Sequence, residues 1–392
     1  MISTVIIFII ILGLLVFVHE FGHFYAAKKS GMRVLEFGFG FPPRLIGFKK
    51  MDGKWRVIFG HRSPLPNPPP QGEGMSRPSE ASSFPGGDET IYSINAIPLG
   101  GFVKIWGENN EHESDPRSFI NRPFWNRFAT LVAGVVMNVI LAWVLMSAGF
   151  MVGMPTAVES MENLPKGATL LNPHVGVLEV LEKSPAQAAG LMPEDLIVGV
   201  DGQKFYTASG FQEYIRTNKG KVFDFNIQRG REEKTVRVES LANPGENQGP
   251  TGIVIADVGN LKFTPLYAIF YGAKATGVQL YGIGKGLVEL FGSGVGLKAL
   301  GGPVKIAQVT GQAADMGFIY LLQFTSFLSL NLAILNILPF PALDGGRVLF
   351  LIIEKIRGVR NNPKVEQAFN AAGFALLILL MILVTIKDVR GM

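Results

Sequence analysis

The chain has 392 residues, 48% of them hydrophobic and 17% charged, with no cysteine and a formal charge of +5. Soluble domains carry about 25% charged residues, so a mean hydropathy of +0.29 argues against disorder and against a wholly soluble protein. The mild charge forms no dense basic stripe, which leaves nucleic acid out as a partner, and the lack of Cys excludes a disulfide framework, thiol catalysis and a cysteine-built zinc site.

The first apolar segment, residues 5–27, reaches the roughly 20 residues that a bilayer requires only if His19, Glu20 and His23 lie inside the membrane. A signal peptide needs a basic start, and no Lys or Arg precedes Lys28. Residues 28–127 read as a β-rich loop, with strand-like runs at 55–59 and 91–105. Within it, residues 62–88 hold seven Pro, four Gly and five Ser in 27 positions. That composition cannot build a packed core and predicts a disordered insertion. A second span, 128–154, has no charged residue, and 155–171 reads as a linker.

Residues 172–258 alternate strand-like runs with turns and predict a small α+β domain. In 259–318 the apolar, Gly-rich stretch 264–298 is broken by Lys274, Lys285, Glu289 and Lys298. We read it as a helix associated with the membrane surface. A third span, 319–343, is free of charge and ends against Asp344; a polar segment, 344–368, precedes the fourth span, 369–388. The fold class is therefore a polytopic α-helical membrane protein with four transmembrane helices. Four spans place both termini on one side. Lys28, Lys29, Arg33, Arg122 and Arg127 flank spans one and two, and Arg347, Lys355, Arg357 and Arg360 follow span three. By the positive-inside rule these loops are cytoplasmic and the 172–258 domain is extracytoplasmic, although Lys387 and Arg390 carry the opposite bias.

Residues 19–23 read His-Glu-Phe-Gly-His. On a helix, positions i and i+4 share a face, about 6 Å apart along the axis. Two imidazoles so placed can bind one zinc, and the intervening Glu can act as a general base. Ionisable groups inside a span are costly and mark functional sites. A catalytic zinc takes three protein ligands and keeps one position open. His61, His112 and His174 lie in loops, so Asp344, in the sequence Asn-Ile-Leu-Pro-Phe-Pro-Ala-Leu-Asp-Gly over 336–345, is the best third ligand. Pro339 and Pro341 cannot continue a regular helix, so span three must unwind there and can turn a carboxylate inward at the depth of His19 and His23. The competing view is a Pro-rich loop opening onto an ordinary Asp-Gly turn.

The histidine motif on the first span, the Asn-x-x-Pro-x-Pro-x-Leu-Asp-Gly run on the third and the domain between spans two and three resemble the site-2 protease family, in its bacterial RseP type. Further matching stretches are 98–104, 302–307 and 331–336. The resemblance implies an intramembrane zinc metalloprotease of the bacterial inner membrane. Its substrates would be single-span membrane proteins, often anti-sigma factors trimmed beforehand by another protease. It assigns zinc to His19, His23 and Asp344, catalysis to Glu20, and an assisting role to Asn336. It also implies an active site near the cytoplasmic side and a periplasmic domain. Residues 184–202 resemble a bacterial PDZ domain, which binds a peptide or C-terminus by strand addition. One departure is Glu194, where the family commonly has Gly. The stretch 91–105 resembles the family's membrane-dipping β-hairpin. There Gly100, Gly101 and Phe102 are candidate substrate-binding residues, since glycines permit close backbone approach.

Two other readings compete. A catalytically inactive PDZ-bearing scaffold with a structural metal would not need Glu20. A metal transporter also places His and Asp inside the membrane, but the chain shows no repeated halves.

Overall fold

The computed structural model of the chain describes residues 2–51, 53–60, 90–108, 115–158, 161–230, 232–245, 249–292 and 301–390. His61, His112, the 62–88 insertion and residues 293–298 lie outside these. In chain order the elements are helix α1 (Ile2–Lys29), strands β1 (Val34–Met51), β2 (Lys54–Phe59) and β3 (Ile91–Ile105), then helix α2 (Phe124–Val152). Strands β4 (Met154–Val158) and β5 (Ala168–Val180), helix α3 (Pro185–Ala188), strands β6 (Leu196–Val200) and β7 (Gln203–Lys204) and helix α4 (Ala208–Thr217) follow. Strands β8 (Val222–Arg229), β9 (Glu232–Glu239) and β10 (Ile253–Phe263) lead into helices α5 (Pro265–Gly292), α6 (Pro303–Met316), α7 (Phe318–Ile337), α8 (Asp344–Arg357) and α9 (Pro363–Arg390). Among the described residues, four helices are long and apolar enough to cross a membrane: α1 from Ser3, α2, α7 and α9. The chain is thus a multi-pass membrane protein. Helix α5 is as long as α9 but falls outside that set, because lysines and glycines dilute its apolar surface.

The chain forms two compact units. The first comprises Met1–Trp143, Thr276–Gly317 and Phe324–Met392. Its sheet runs β2-β1-β3. Strand β1 bends between Phe41 and Arg44; its first half pairs with both 101–105 and 91–94 of β3, and its second half with 91–95. A buried ion pair closes the bend, with Arg44 Nε donating to Glu36 Oε1 at 3.0 Å. Strand β2 pairs with the outer half of β1, from Met51 opposite Lys54 to Ile46 opposite Phe59. The runs at 55–59 and 91–105 therefore flank β1 and do not pair with each other. Helix α1, the inner sheet residues, α2 and α8 share one apolar cluster, built on Ala27, Met32, Val34, Ile105, Leu131, Val348 and Leu351. Helix α2 begins at Phe124, after Pro123, four residues earlier than its apolar run alone suggests. Arg127 then lies inside it, in a two-pronged ion pair with Glu354 of α8, at 2.7 and 3.1 Å.

The second unit comprises Val144–Ala275 and Phe318–Gln323. Its sheet runs β4-β10-β5-β6-β8-β9, with β7 beside β6. Strands β8 and β9 form a hairpin, in register from Val222 opposite Glu239 to Arg229 opposite Glu232. Phe211, Phe223, Phe225, Ile197, Ile227 and Val238 form its core. The sheet reaches past 172–258 at both ends, because β5 starts at Ala168 and β10 runs on to Phe263, paired residue for residue. Met154 opens β4, since Gly153 at φ +129 breaks α2 before it. Ser184 caps α3, accepting from the Gln187 N–H at 3.1 Å. Asp195, fully buried, is held by Arg229 through two bonds of 2.7 Å and by the Met192 N–H at 2.9 Å. Glu194 just before it sits at φ +73. This is the left-handed region that glycine occupies without strain, which accounts for the usual Gly.

Candidate metal centre

The imidazoles of His19 and His23 leave α1 on one face and are 5% and 7% exposed. They face α2 at Gly134. A side chain at 134 would bring a Cβ within 2.7 Å of His19 Nε2 and closer still to His23 Nε2. Gly22 plays the matching part on α1, where a Cβ would lie 2.7 Å from the Ala133 carbonyl carbon. The absence of two side chains thus lets the helices touch where the histidines emerge.

Asp344 arrives from the far end of the chain. Helix α7 stops at Ile337, and residues 338–343, with Pro339 and Pro341, run without helix before Asp344 opens α8. Ala342 turns at φ +67, and its N–H donates to Asn370 Oδ1 of α9 at 3.2 Å. Gly345 and Gly346 lie so near the carbonyls of Leu338 and Phe340 that neither admits a Cβ, and Gly373 of α9 is equally tight on Pro341. The Pro-rich loop is therefore folded back on the first turn of α8, which fixes the direction of the carboxylate. Arg347, one turn on, pairs with Glu108 beyond β3. The Glu108 charge raises the guanidinium pKa above its ordinary value against the opposing effect of burial.

Asp344 Oδ2 lies 2.9 Å from His19 Nε2 and 3.3 Å from His23 Nε2, and the two nitrogens are 3.1 Å apart. A tetrahedral zinc with bonds of about 2.0–2.1 Å separates its ligand atoms by about 3.3–3.4 Å. The three atoms converge to nearly that spacing, and two imidazoles with one carboxylate are a known catalytic zinc set. The donor set therefore fits the metal. His23 Nδ1 lies 2.7 Å from the Thr130 carbonyl. That carbonyl can only accept, so the ring proton sits on Nδ1 and the Nε2 lone pair is free for a metal.

A cavity of about 190 Å³ opens beside these atoms, lined by Val16, His19, Glu20, Leu332, Asn336, Ala342, Leu343 and Asp344. Glu20 is half-buried, and its Oε2 accepts the Val103 N–H of β3 at 3.1 Å. Asn336 reaches in from α7, with Nδ2 3.3 Å from His19 Nε2. The structure thus brings His19, Glu20, His23, Asn336 and Asp344 to one place. Gly100 and Gly101 run along α1. A Cβ on Gly100 would meet Val16 at 2.7 Å, and one on Gly101 would stand 3.8 Å from Glu20 Cγ. Phe102 lies over Gly38 of β1 and does not line the cavity. His174 lies in β5, in the other unit. Sequence reasoning missed Val103, Thr130, Gly134 and Asn138. Only Asn138, the one carboxamide in that uncharged span, carried a signal that could have found it.

The chain matches the sequence pattern of peptidase family M50 over residues 7–61 and 80–380. It is 30% identical over 432 aligned residues to the regulator of sigma-W protease RasP of Bacillus subtilis, covering 99% of each chain. It is 28% identical to the zinc metalloprotease RasP of Geobacillus kaustophilus, covering 99% of this chain and 98% of that one. Among solved structures, the PDZ domain of an SdrC-like protein from Listeria innocua is 32% identical, covering 21% of this chain and 92% of that one, with a TM-score of 0.19. Two histidines and a glutamate on a helix long enough to span a bilayer, an aspartate brought to them just past the end of another, and a match across most of the sequence have one reading: this chain belongs to peptidase family M50, the intramembrane zinc metalloproteases.

Proposed function

We propose that the chain hydrolyses peptide bonds in or near the transmembrane segment of single-span membrane proteins, with His19, His23 and Asp344 as zinc ligands and Glu20 as general base. The observation that carries this is the position of Glu20, in the wall of the same cavity as His19 and Asp344, two of the three converging ligand residues. A purely structural metal has no use for a carboxylate beside an open cavity. Bound there, zinc supplies Lewis-acid chemistry that polarises the scissile carbonyl and eases ionisation of a water. Glu20 takes the proton from the attacking water and delivers it to the leaving amine. The Val103 N–H holds one Glu20 oxygen and leaves the other for this work. Asn336 offers an amide donor to the carbonyl oxygen as its charge grows. Gly100, Gly101 and Phe102, on the strand that passes Glu20, guide an extended substrate by strand addition.

Trimmed anti-sigma-factor-like proteins are the substrate class, supported by the full-length similarity to a protein named as a regulator of sigma-W. The charge bias of the loops supports a bacterial inner-membrane setting, with the site near the cytoplasmic side and the PDZ-like domain periplasmic. That domain captures a peptide or C-terminus. Strand β4 covers β10 only over 257–261, so among the described residues 253–256 of β10 keep one uncovered edge for strand addition. The deciding experiment is Glu20→Gln assayed on a single-span model substrate in detergent. Zinc content should persist while cleavage falls to the background level. Near-normal turnover would refute the general-base role.

A further inference from the structure

His23 has its second-nitrogen partner in the Thr130 carbonyl; for His19 the corresponding partner is Asn138, on α2. Asn138 is fully buried, and its Nδ2 lies 3.2 Å from His19 Nδ1. Its Oδ1 is also buried and, among the described residues, has no hydrogen-bond partner. An orphaned carbonyl oxygen in an apolar span costs about 1–3 kcal/mol. Carboxamide oxygen and nitrogen occupy nearly the same space, so the choice between the two orientations follows from the hydrogen-bond network.

The two orientations have opposite consequences. An Nδ2–H donor needs a lone pair on His19 Nδ1, which puts the ring proton on Nε2. That tautomer can donate to Asp344 Oδ2 at 2.9 Å, but it cannot ligate a metal. Turned the other way, Oδ1 accepts the Nδ1–H of His19 and the Nε2 lone pair is free, while the amide NH2 takes the place where Oδ1 had no donor. The main chain of Asn138 is itself fixed, since its carbonyl accepts the Ser329 hydroxyl of α7 at 2.7 Å.

We propose that Asn138 is a positioning residue for the metal centre, its side-chain carbonyl holding the Nδ1–H of His19 and so selecting the imidazole tautomer that binds zinc. The inference rests on the zinc-ligand reading of His19. Both histidines are then keyed from α2, one by a main-chain and one by a side-chain carbonyl.

The test is zinc affinity of the purified full-length chain by competition with a chromophoric chelator, together with thermal unfolding of the zinc-free protein. Asn138→Leu keeps the volume and removes the acceptor. It should weaken zinc binding about 10–100-fold, as loss of an outer partner typically does. Asn138→Asp keeps an acceptor and loses both donors, so it should stay within a few-fold of the parent, with a carboxylate now behind the histidine. A packing role makes the opposite demand: Leu tolerated, Asp not, and the change visible in zinc-free stability. Wild-type affinity in Asn138→Leu, or an Asn138→Asp protein that loses zinc, would overturn the proposal. If the Leu variant does not fold, the Asp variant decides alone. His19→Ala should abolish binding whatever Asn138 does. Retention of zinc by that variant would count against the ligand assignment and not against the orientation of the amide.

Discussion

Gly134→Ala is a small change that should damage the centre severely. The new methyl would lie within 2.7 Å of His19 Nε2 and Cε1, and nearer to His23 Nε2, where non-bonded atoms prefer about 3.5 Å or more. A Cβ has no rotamer to escape through, so either the rings or the helices must move by roughly 1 Å. Metal bonds tolerate about 0.2 Å, and displacing His23 also stretches its 2.7 Å contact with the Thr130 carbonyl. Overpacking of this kind costs about 1–3 kcal/mol. In the zinc-free protein the rings can turn aside, so the cost falls on the bound state. At about 1.4 kcal/mol per decade that is roughly a 5–150-fold loss of zinc affinity. Helix propensity acts in the other direction, since Ala in place of Gly favours a helix by about 1 kcal/mol. Chelator competition measures the affinity, and unfolding of the zinc-free protein measures the propensity. Gly277→Ala in α5, where a Cβ would meet nothing within 4 Å among the described residues, is the control and should leave zinc binding unchanged. Zinc affinity in Gly134→Ala equal to the parent's would refute the reasoning.

Glu194→Gly should stabilise the PDZ-like domain. Glu194 is exposed and holds φ +73, a conformation costing a non-glycine residue about 1–2 kcal/mol, against about 0.5–1 for glycine's extra unfolded-chain entropy. The net gain is roughly 0.5–1 kcal/mol in thermal unfolding, and a loss would show that the exposed side chain has a partner. Glu354→Ala should cost about 3 kcal/mol, because it leaves the Arg127 guanidinium buried and unpaired. The double variant Arg127→Met, Glu354→Leu should recover most of it; a single variant within about 0.5 kcal/mol of the parent, the range of ordinary surface substitutions, would contradict the pairing.

The spans and the two motifs that meet at the site were legible because each is written within a short stretch of chain. The histidine pair needs only helical spacing, and the Asp344 turn needs only two prolines. The structure adds the reason for Gly345 and Gly346, which is contact with carbonyls six to eight positions earlier, at the end of α7 and in the loop that follows it. The supporting atoms were not legible. Thr130, Gly134 and Asn138 sit in an apolar run whose pattern says only that it crosses a membrane. Their roles exist because α1 crosses α2 at that height, a contact more than a hundred residues apart in sequence. The β-region shows the same limit. Alternation marks strands at 55–59 and 91–105, but only pairing reveals that β1 bends and lies between them. Glu194 was visible as an exception, and its backbone angle explains it.

The central claim is that one zinc is held by His19, His23 and Asp344. The direct measurement is elemental zinc content of the purified chain beside His19→Ala and Asp344→Ala, each verified as folded and membrane-inserted. About one zinc per chain is expected in the parent and almost none in either variant, since a catalytic site has only three protein ligands to lose. Full zinc retention in folded Asp344→Ala would contradict the assignment, because the carboxylate 2.9 Å from His19 Nε2 would then be a neighbour of the metal and not its ligand.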